Sequence, residues 1–154
     1  MLDIKTKGEL KKINLRSEAH GDSMVRAMDI RFLAIDVEGE HLDALIPHYK
    51  ALLYKNNEPV LQEVYPLKVR HKVLNASAKI KIGRKTITLA GCDIAKIKIT
   101  PRAKGNCDID LAIQTSDFTD GILDGLSRCL GEILPLELIE RQMVLDDMDQ
   151  GEEK

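Results

Sequence analysis

Apolar and polar residues alternate along much of this chain. Leu10–Ser17 puts Ile13 and Leu15 on one face and Lys12, Asn14 and Arg16 on the other, the period-two pattern of a half-buried strand. Glu18-Ala-His-Gly-Asp-Ser23 reads as a turn cluster. Met24–Val37 then resumes the alternation, with Met28, Ile30 and Phe32 set against Asp29 and Arg31, which predicts an antiparallel hairpin. The period changes after Glu38. Leu42, Leu45, Ile46, Tyr49, Leu52 and Leu53 recur at helical spacing, predicting a helical segment over about 39–55 that Pro47 breaks or kinks for want of an N–H. Asn56-Asn57-Glu58-Pro59 ends it, and the stretch through Pro66 reads as a surface loop.

Two further hairpins follow. Ala76–Ile82 and Lys85–Ala90 flank Gly83-Arg84, where glycine at the first turn position suits a type II′ turn and sets Ile80 opposite Ile87, Lys79 opposite Thr88 and Lys81 opposite Thr86. Asp93–Thr100 and Asn106–Gln114 are joined across Pro-Arg-Ala-Lys-Gly. If Thr100 faces Asn106, Lys98 lies opposite Asp108 and Lys96 opposite Asp110, pairs that neutralise two lysines and help to specify register. Helical spacing returns over 119–131 (Ile122, Leu123, Leu126, Leu130), with Ser116, Asp117 or Thr119 as the N-cap. Pro135–Met143 predicts a last strand. The expected fold is α+β: antiparallel hairpins forming a sheet or sandwich, with two helical segments, about 39–55 and 119–131. Residues 1–143 form one globular domain, and 144–154 an acidic, disordered tail.

Composition narrows this little. At 154 residues the chain is long enough to bury a substantial core, and 44% apolar with 31% charged residues is ordinary for a folded soluble protein. It has no apolar run of transmembrane length and no apolar leader segment, so a cytoplasmic protein is expected. Cys92, Cys107 and Cys129 are an odd count without Cys-x-x-Cys spacing, which favours reduced thiols; Cys92, next to Gly91, is the one expected to be exposed. The scarcity of aromatic residues, 3% with no Trp, makes the core aliphatic and leaves few platforms for stacking bases.

Charge is segregated. Residues 66–104 carry eleven Lys/Arg against the single acid Asp93, whereas residues 105–154 carry thirteen acids against three bases. The basic middle is the strongest chemical signal in the chain. Lys68, Arg70 and Lys72 share one strand face, Lys79 and Lys81 another, and Arg84 and Lys85 sit at a turn. Cations on a sheet bordered by basic turns can follow a phosphate backbone, and these seven residues are the candidate nucleic-acid contacts.

Other constellations are weaker. His41 and His48, with Glu38, Glu40 and Asp43 nearby, read as solvated residues rather than metal ligands. Asp108 and Asp110 share a strand face, as a metal-dependent nuclease needs, but their expected lysine partners favour structural pairing. Walker A, Gly-x-Gly-x-x-Gly and Gly-x-Ser-x-Gly patterns are absent. No catalytic residue, metal or cofactor is assigned.

The run Leu10-Lys-Lys-Ile-Asn-Leu-Arg-Ser-Glu-Ala-His-Gly-Asp-Ser-Met-Val-Arg-Ala-Met-Asp-Ile30, with Gly91-Cys92-Asp93 and the helix-then-strand close from Leu123 to Ile139, resembles a family of poorly characterised tailed-phage and prophage early-region proteins. The resemblance implies a role in replication, recombination or interference with the host, in the cytoplasm of a bacterial host cell. It supplies no catalytic residues. The acidic tail is similar in style to those of phage single-stranded-DNA-binding proteins, although it ends in Lys154 rather than an aromatic residue.

Taken together, these features predict a non-enzymatic phage or prophage protein that binds nucleic acid, single-stranded DNA first, as an accessory to replication or recombination. The alternative is a protein–protein interaction module that inhibits a host defence or replication enzyme. No membrane partner is expected, and free hairpin edges are compatible with a homo-oligomer.

Overall fold

The computed structural model describes residues 1–38, 42–47, 54–55, 58–59, 67–102 and 106–141. Strands β1 (Asp3–His20) and β2 (Ser23–Glu38) form a long hairpin closed by Gly21-Asp22 alone, so strand pairing runs on through the Glu18–His20 segment read as a turn. Gly21 has φ of +63° and Asp22 is not in the left-handed region, the type II′ pattern that matches strand twist. Two short strands, β3 (Tyr54–Lys55) and β4 (Glu58–Pro59), pair with each other. Next come β5 (Leu67–Val69), β6 (Val73–Ile82), β7 (Lys85–Pro101) and β8 (Asn106–Thr115). Helix α1 (Asp120–Ser127) then leads to β9 (Ile133–Glu140).

The antiparallel pairings close on themselves. β1 pairs with β2, β2 with β8, β8 with β7, β7 with β6, β6 with β9, and β9 returns to β1. The result is a six-stranded barrel, with β5 extending the β6 edge of β7. Closure removes most of the strand edges that an open sheet would expose. Inward residues of the six barrel strands meet in one mainly aliphatic core that includes Leu10, Met28, Ile30, Phe32, Ile80, Leu89, Ile94, Ile97, Ile109, Ile113 and Leu136. At one end α1 contributes buried Leu126, and Gly131 N and Glu132 O bond Leu10 at 2.8 and 3.0 Å. At the other end Leu42 and Leu45 are buried, and Tyr54 Oη donates to the Asn106 carbonyl.

The fold is therefore β-rich, the expected antiparallel hairpins forming one sheet that closes into a barrel rather than a sandwich. Among the described residues α1 is the one α-helix. Its N-cap is Thr119, whose side chain accepts from Ile122 N at 3.2 Å. Within the segment expected to be helical over 39–55, Leu45 N and Ile46 N both bond the Leu42 carbonyl, but that single turn reaches Pro47, and Tyr54–Lys55 is strand. Residues 39–41 and 48–53 lie outside the described residues, as do His41, His48 and the tail 144–154. The last strand begins at Ile133, two residues before the expected start, and ends at Glu140. Among the described residues no helix is long and apolar enough to cross a membrane.

The β6–β7 hairpin has the register read from its turn, Ile80 opposite Ile87 and Lys79 opposite Thr88. The β7–β8 hairpin does not. It continues to Pro101 opposite Cys107, which sets Thr100 opposite Asp108 and Lys98 opposite Asp110, two residues from the expected pairing. Between Lys98 and Ala95 the register shifts at a bulge, and Lys96 occupies it with φ of +53°.

Candidate nucleic-acid interface

The bulge and the shifted register create a groove on the outer wall of the barrel. It is an open depression of about 400 Å³ lined by Arg31, Lys68, Val69, Arg70, Lys96, Ile97 and Lys98. β5 supplies Lys68 and Val69, with Arg70 following; β7 supplies Lys96 to Lys98, and β2 supplies Arg31. The outward side chains are cationic because the inward positions of the same strands, Ile97, Ile99 and Phe32 among them, are committed to the core.

Three features make this groove costly to build. Lys68 lies directly opposite Lys98, and like charges in facing positions destabilise a strand pair. Lys96 holds a left-handed backbone conformation that costs an ordinary side chain about 1–2 kcal/mol. Five cations and, among the described residues, no acid line the depression, and the Asp110 carboxylate bonds Arg31 Nη2 at 2.9 Å. The Arg31–Asp110 pair is partly exposed, so it tempers the field without cancelling it. Lys96 and Lys98 have no ion-pair partner among the described residues: Asp110 has taken Arg31, and Asp108 bonds Arg102 Nε at 2.9 Å. The expected neutralisation of Lys96 by Asp110 and of Lys98 by Asp108 is thus overturned.

The seven candidate contacts divide among four places. Lys68 and Arg70 belong to the groove. Lys72 stands beside it over a polar cleft with Arg16, Glu18 and Asp93, and its Nζ donates to Gln114 Oε1 at 3.2 Å. Lys79 and Lys81 point outward from β6 across a second depression of about 360 Å³, shared with Lys5, Thr86 and Glu137, on the β6–β9–β1 side of the barrel. There Glu137 faces both Lys79 and Lys5 in the strand register, so the acid is central to that patch. Arg84 and Lys85 are exposed at the β6–β7 turn. The two strand faces read from the sequence thus lie on different walls of the barrel, with Lys72 on the flank of the groove and Arg84 and Lys85 at the turn.

Sequence reasoning missed Arg31, Lys96 and Lys98. The separation from Ile94 to Ile97 is the legible signal for the lysines: two inward residues three apart break the period of two and mark a bulge. Arg31 carries no local signal, since only barrel closure brings β2 to β8.

The remaining titratable groups have structural surroundings. Arg16 Nε bonds buried Asp29 at 2.9 Å and its other nitrogen holds Glu18, which lowers the Glu18 carboxyl below its ordinary range, chiefly through the Arg16 bond and then through His20. Cys92, expected to be exposed, is fully buried; burial pushes its thiol up to about 11, and Sγ lies 3.3 Å from the Ala76 carbonyl. Cys107 and Cys129 are also buried. Among the described residues no group of three or more His, Cys, Asp or Glu side chains gathers as a metal site. No family model, curated protein or solved structure matches this chain.

Proposed function

We propose that this protein binds nucleic acid non-enzymatically, through phosphate contacts from Arg31, Lys68, Arg70, Lys96 and Lys98, with Lys72 on the flank. The observation that carries the reading is the concentration of cations, one of them strained and two in facing strand positions, in a single open groove. Local rules broken together at one place are characteristic of functional sites. No aromatic ring lines the groove among the described residues, and on this reading recognition draws on the phosphate backbone and is tolerant of sequence. Single-stranded DNA is the first ligand we propose, because its flexible backbone can follow a short groove on a curved wall, where a stiff duplex touches at fewer points. A phage or prophage accessory role in replication or recombination, within the bacterial cytoplasm, is the setting this reading fits.

Fluorescence anisotropy with a labelled single-stranded oligonucleotide and its matched duplex, across a range of salt, tests it. Five neutralised phosphates give a slope of log K against log salt of about −3.5 on a single strand, at about −0.7 per contact. Absence of binding to either oligonucleotide at low salt overturns the reading and leaves the host-protein interaction module in its place.

A further inference from the structure

The β1–β2 hairpin outruns the barrel. β9 pairs with β1 only along Asp3–Glu9, and the last bonds on that outer edge come from Gly131 and Glu132 to Leu10. From Lys12 to His20 the edge has no partner among the described residues, while the inner edge pairs with β2 throughout. The same stretch exposes apolar surface: Leu15 is 52% and Met24 67% exposed, beside exposed Ala19. A long free edge with apolar side chains templates the addition of another strand.

The edge selects its own register. His20 and Ser23 close a two-residue turn, so they exchange hydrogen bonds, as do Glu18–Val25 and Arg16–Ala27 two and four residues further in. Ile13, Leu15, Ser17 and Ala19 therefore direct their N–H and C=O groups to the free side. An antiparallel pairing of two identical edges sets odd residues opposite odd ones, so its axis can pass through any residue of the edge. An axis on Asn14, Arg16 or Glu18 sets Arg16 opposite Lys12, Arg16 opposite Arg16 or Glu18 opposite Glu18, like charges that disfavour these centres and leave the odd-numbered ones. Centring on Ser17 sets Leu15 opposite Ala19 of the second copy and brings the apolar row Met28, Leu15, Ala19, Met24 across four strands. It also sets Arg16 opposite Glu18 and Lys12 opposite Asp22, each twice by symmetry. Centring on Leu15 drives the turn into Gly131–Glu132 where they bond Leu10, and centring on Ala19 leaves Leu15 uncovered.

We infer that the protein forms a two-fold symmetric dimer by antiparallel pairing of the β1 edges, centred on Ser17. The occupant of this edge is a second copy of the chain. The contact is isologous and closes on itself, so it yields a dimer rather than a fibre. It lies on the projecting hairpin, away from the cationic groove, and does not depend on the nucleic-acid reading.

Two measurements test it. Sedimentation equilibrium of the full chain is expected to report a dimer, and Ser17→Pro, which removes an N–H from the free side only, a monomer with an unchanged far-ultraviolet spectrum. Ser17→Cys supplies the second. The facing Cα atoms of a hydrogen-bonded pair are about 5.5 Å apart, within reach of a disulfide, so mild oxidation yields a covalent dimer. Ala19→Cys does not, since each Ala19 faces Leu15 and its symmetry mate is displaced by about four residues, roughly 13 Å. The three native thiols are buried and do not compete. A monomeric full chain, or equal cross-linking of both cysteine variants, overturns the inference.

Discussion

Replacing Lys96 with glycine is expected to stabilise the protein while weakening its binding. The residue sits in the β7 bulge at φ of +53°, where a side chain costs about 1–2 kcal/mol that glycine does not incur. Against this, glycine returns about 0.5–1 kcal/mol of freedom to the unfolded chain. Removing the ammonium also relieves repulsion from Arg70 and Lys98 in the groove. The net gain is about 1 kcal/mol, or about 2–4 °C in Tm for a chain of this size. Lys96→Ala is the control. It discards the same charge but keeps the Cβ in the left-handed region, so its stability stays within about 0.5 kcal/mol of the parent. Both variants lose one phosphate contact, and their single-strand salt slopes flatten by about 0.7. Urea titrations and anisotropy on the three proteins separate the effects. Equal stabilisation by alanine and glycine places the cost in charge crowding rather than in the backbone. Destabilisation by glycine refutes the strain argument, and unchanged salt slopes remove Lys96 from the interface.

Four other outcomes follow from the same geometry. Asp110→Asn frees Arg31 from its ion pair, so oligonucleotide binding tightens at a given salt concentration, while urea stability changes by less than about 1 kcal/mol because the pair is partly exposed. Gly8→Ala places a Cβ 3.2 Å from Phe32 Cδ1 and 3.4 Å from the Leu33 carbonyl, and the crowding costs about 1–3 kcal/mol in a urea titration. Thr119→Ala removes the cap on Ile122 N and costs about 1 kcal/mol, read by the same method. Cys92 keeps its proton in the folded state up to about 11 while the unfolded thiol ionises near its ordinary value, so stability is insensitive to this group below about 9 and falls as pH rises between those values. A Cys92→Ala variant should show a shallower alkaline decline, and rapid native-state labelling of Cys92 at pH 8 contradicts its burial.

How much was legible in the chain depended on how local the determinant was. The β6–β7 register followed from Gly83, because glycine at the first position of a two-residue turn fixes which residues face each other. The β7–β8 register did not, since Pro-Arg-Ala-Lys-Gly admits more than one loop length, and a two-residue slip keeps Ile97, Ile99 and Ile109 facing inward. Only the charges could have distinguished the alternatives, and the favoured Lys–Asp pairs pointed to the wrong one: Asp110 and Asp108 found arginines from outside the predicted pairs. Within the described residues 42–47, helical spacing at Leu42, Leu45 and Ile46 gives one turn, and Pro47, which follows it, has no N–H to donate. Barrel closure had no local signature, because β9 must enter between β1 and β6 from the far end of the chain. For the same reason Lys68 and Arg70 could be found as a basic run, and Arg31 could not.

The most direct test of the central claim compares two walls of one barrel. Lys68→Glu/Lys98→Glu reverses charge in the groove, and Lys79→Glu/Lys81→Glu reverses the same amount of charge on the β6–β9–β1 side. Both variants have the same net charge, so a purely global electrostatic effect moves them together. Single-strand affinity measured by anisotropy at moderate salt is predicted to collapse in the groove variant and to fall only modestly in the other. Equal losses, or a larger loss from Lys79 and Lys81, contradict the assignment of the groove as the phosphate-binding face.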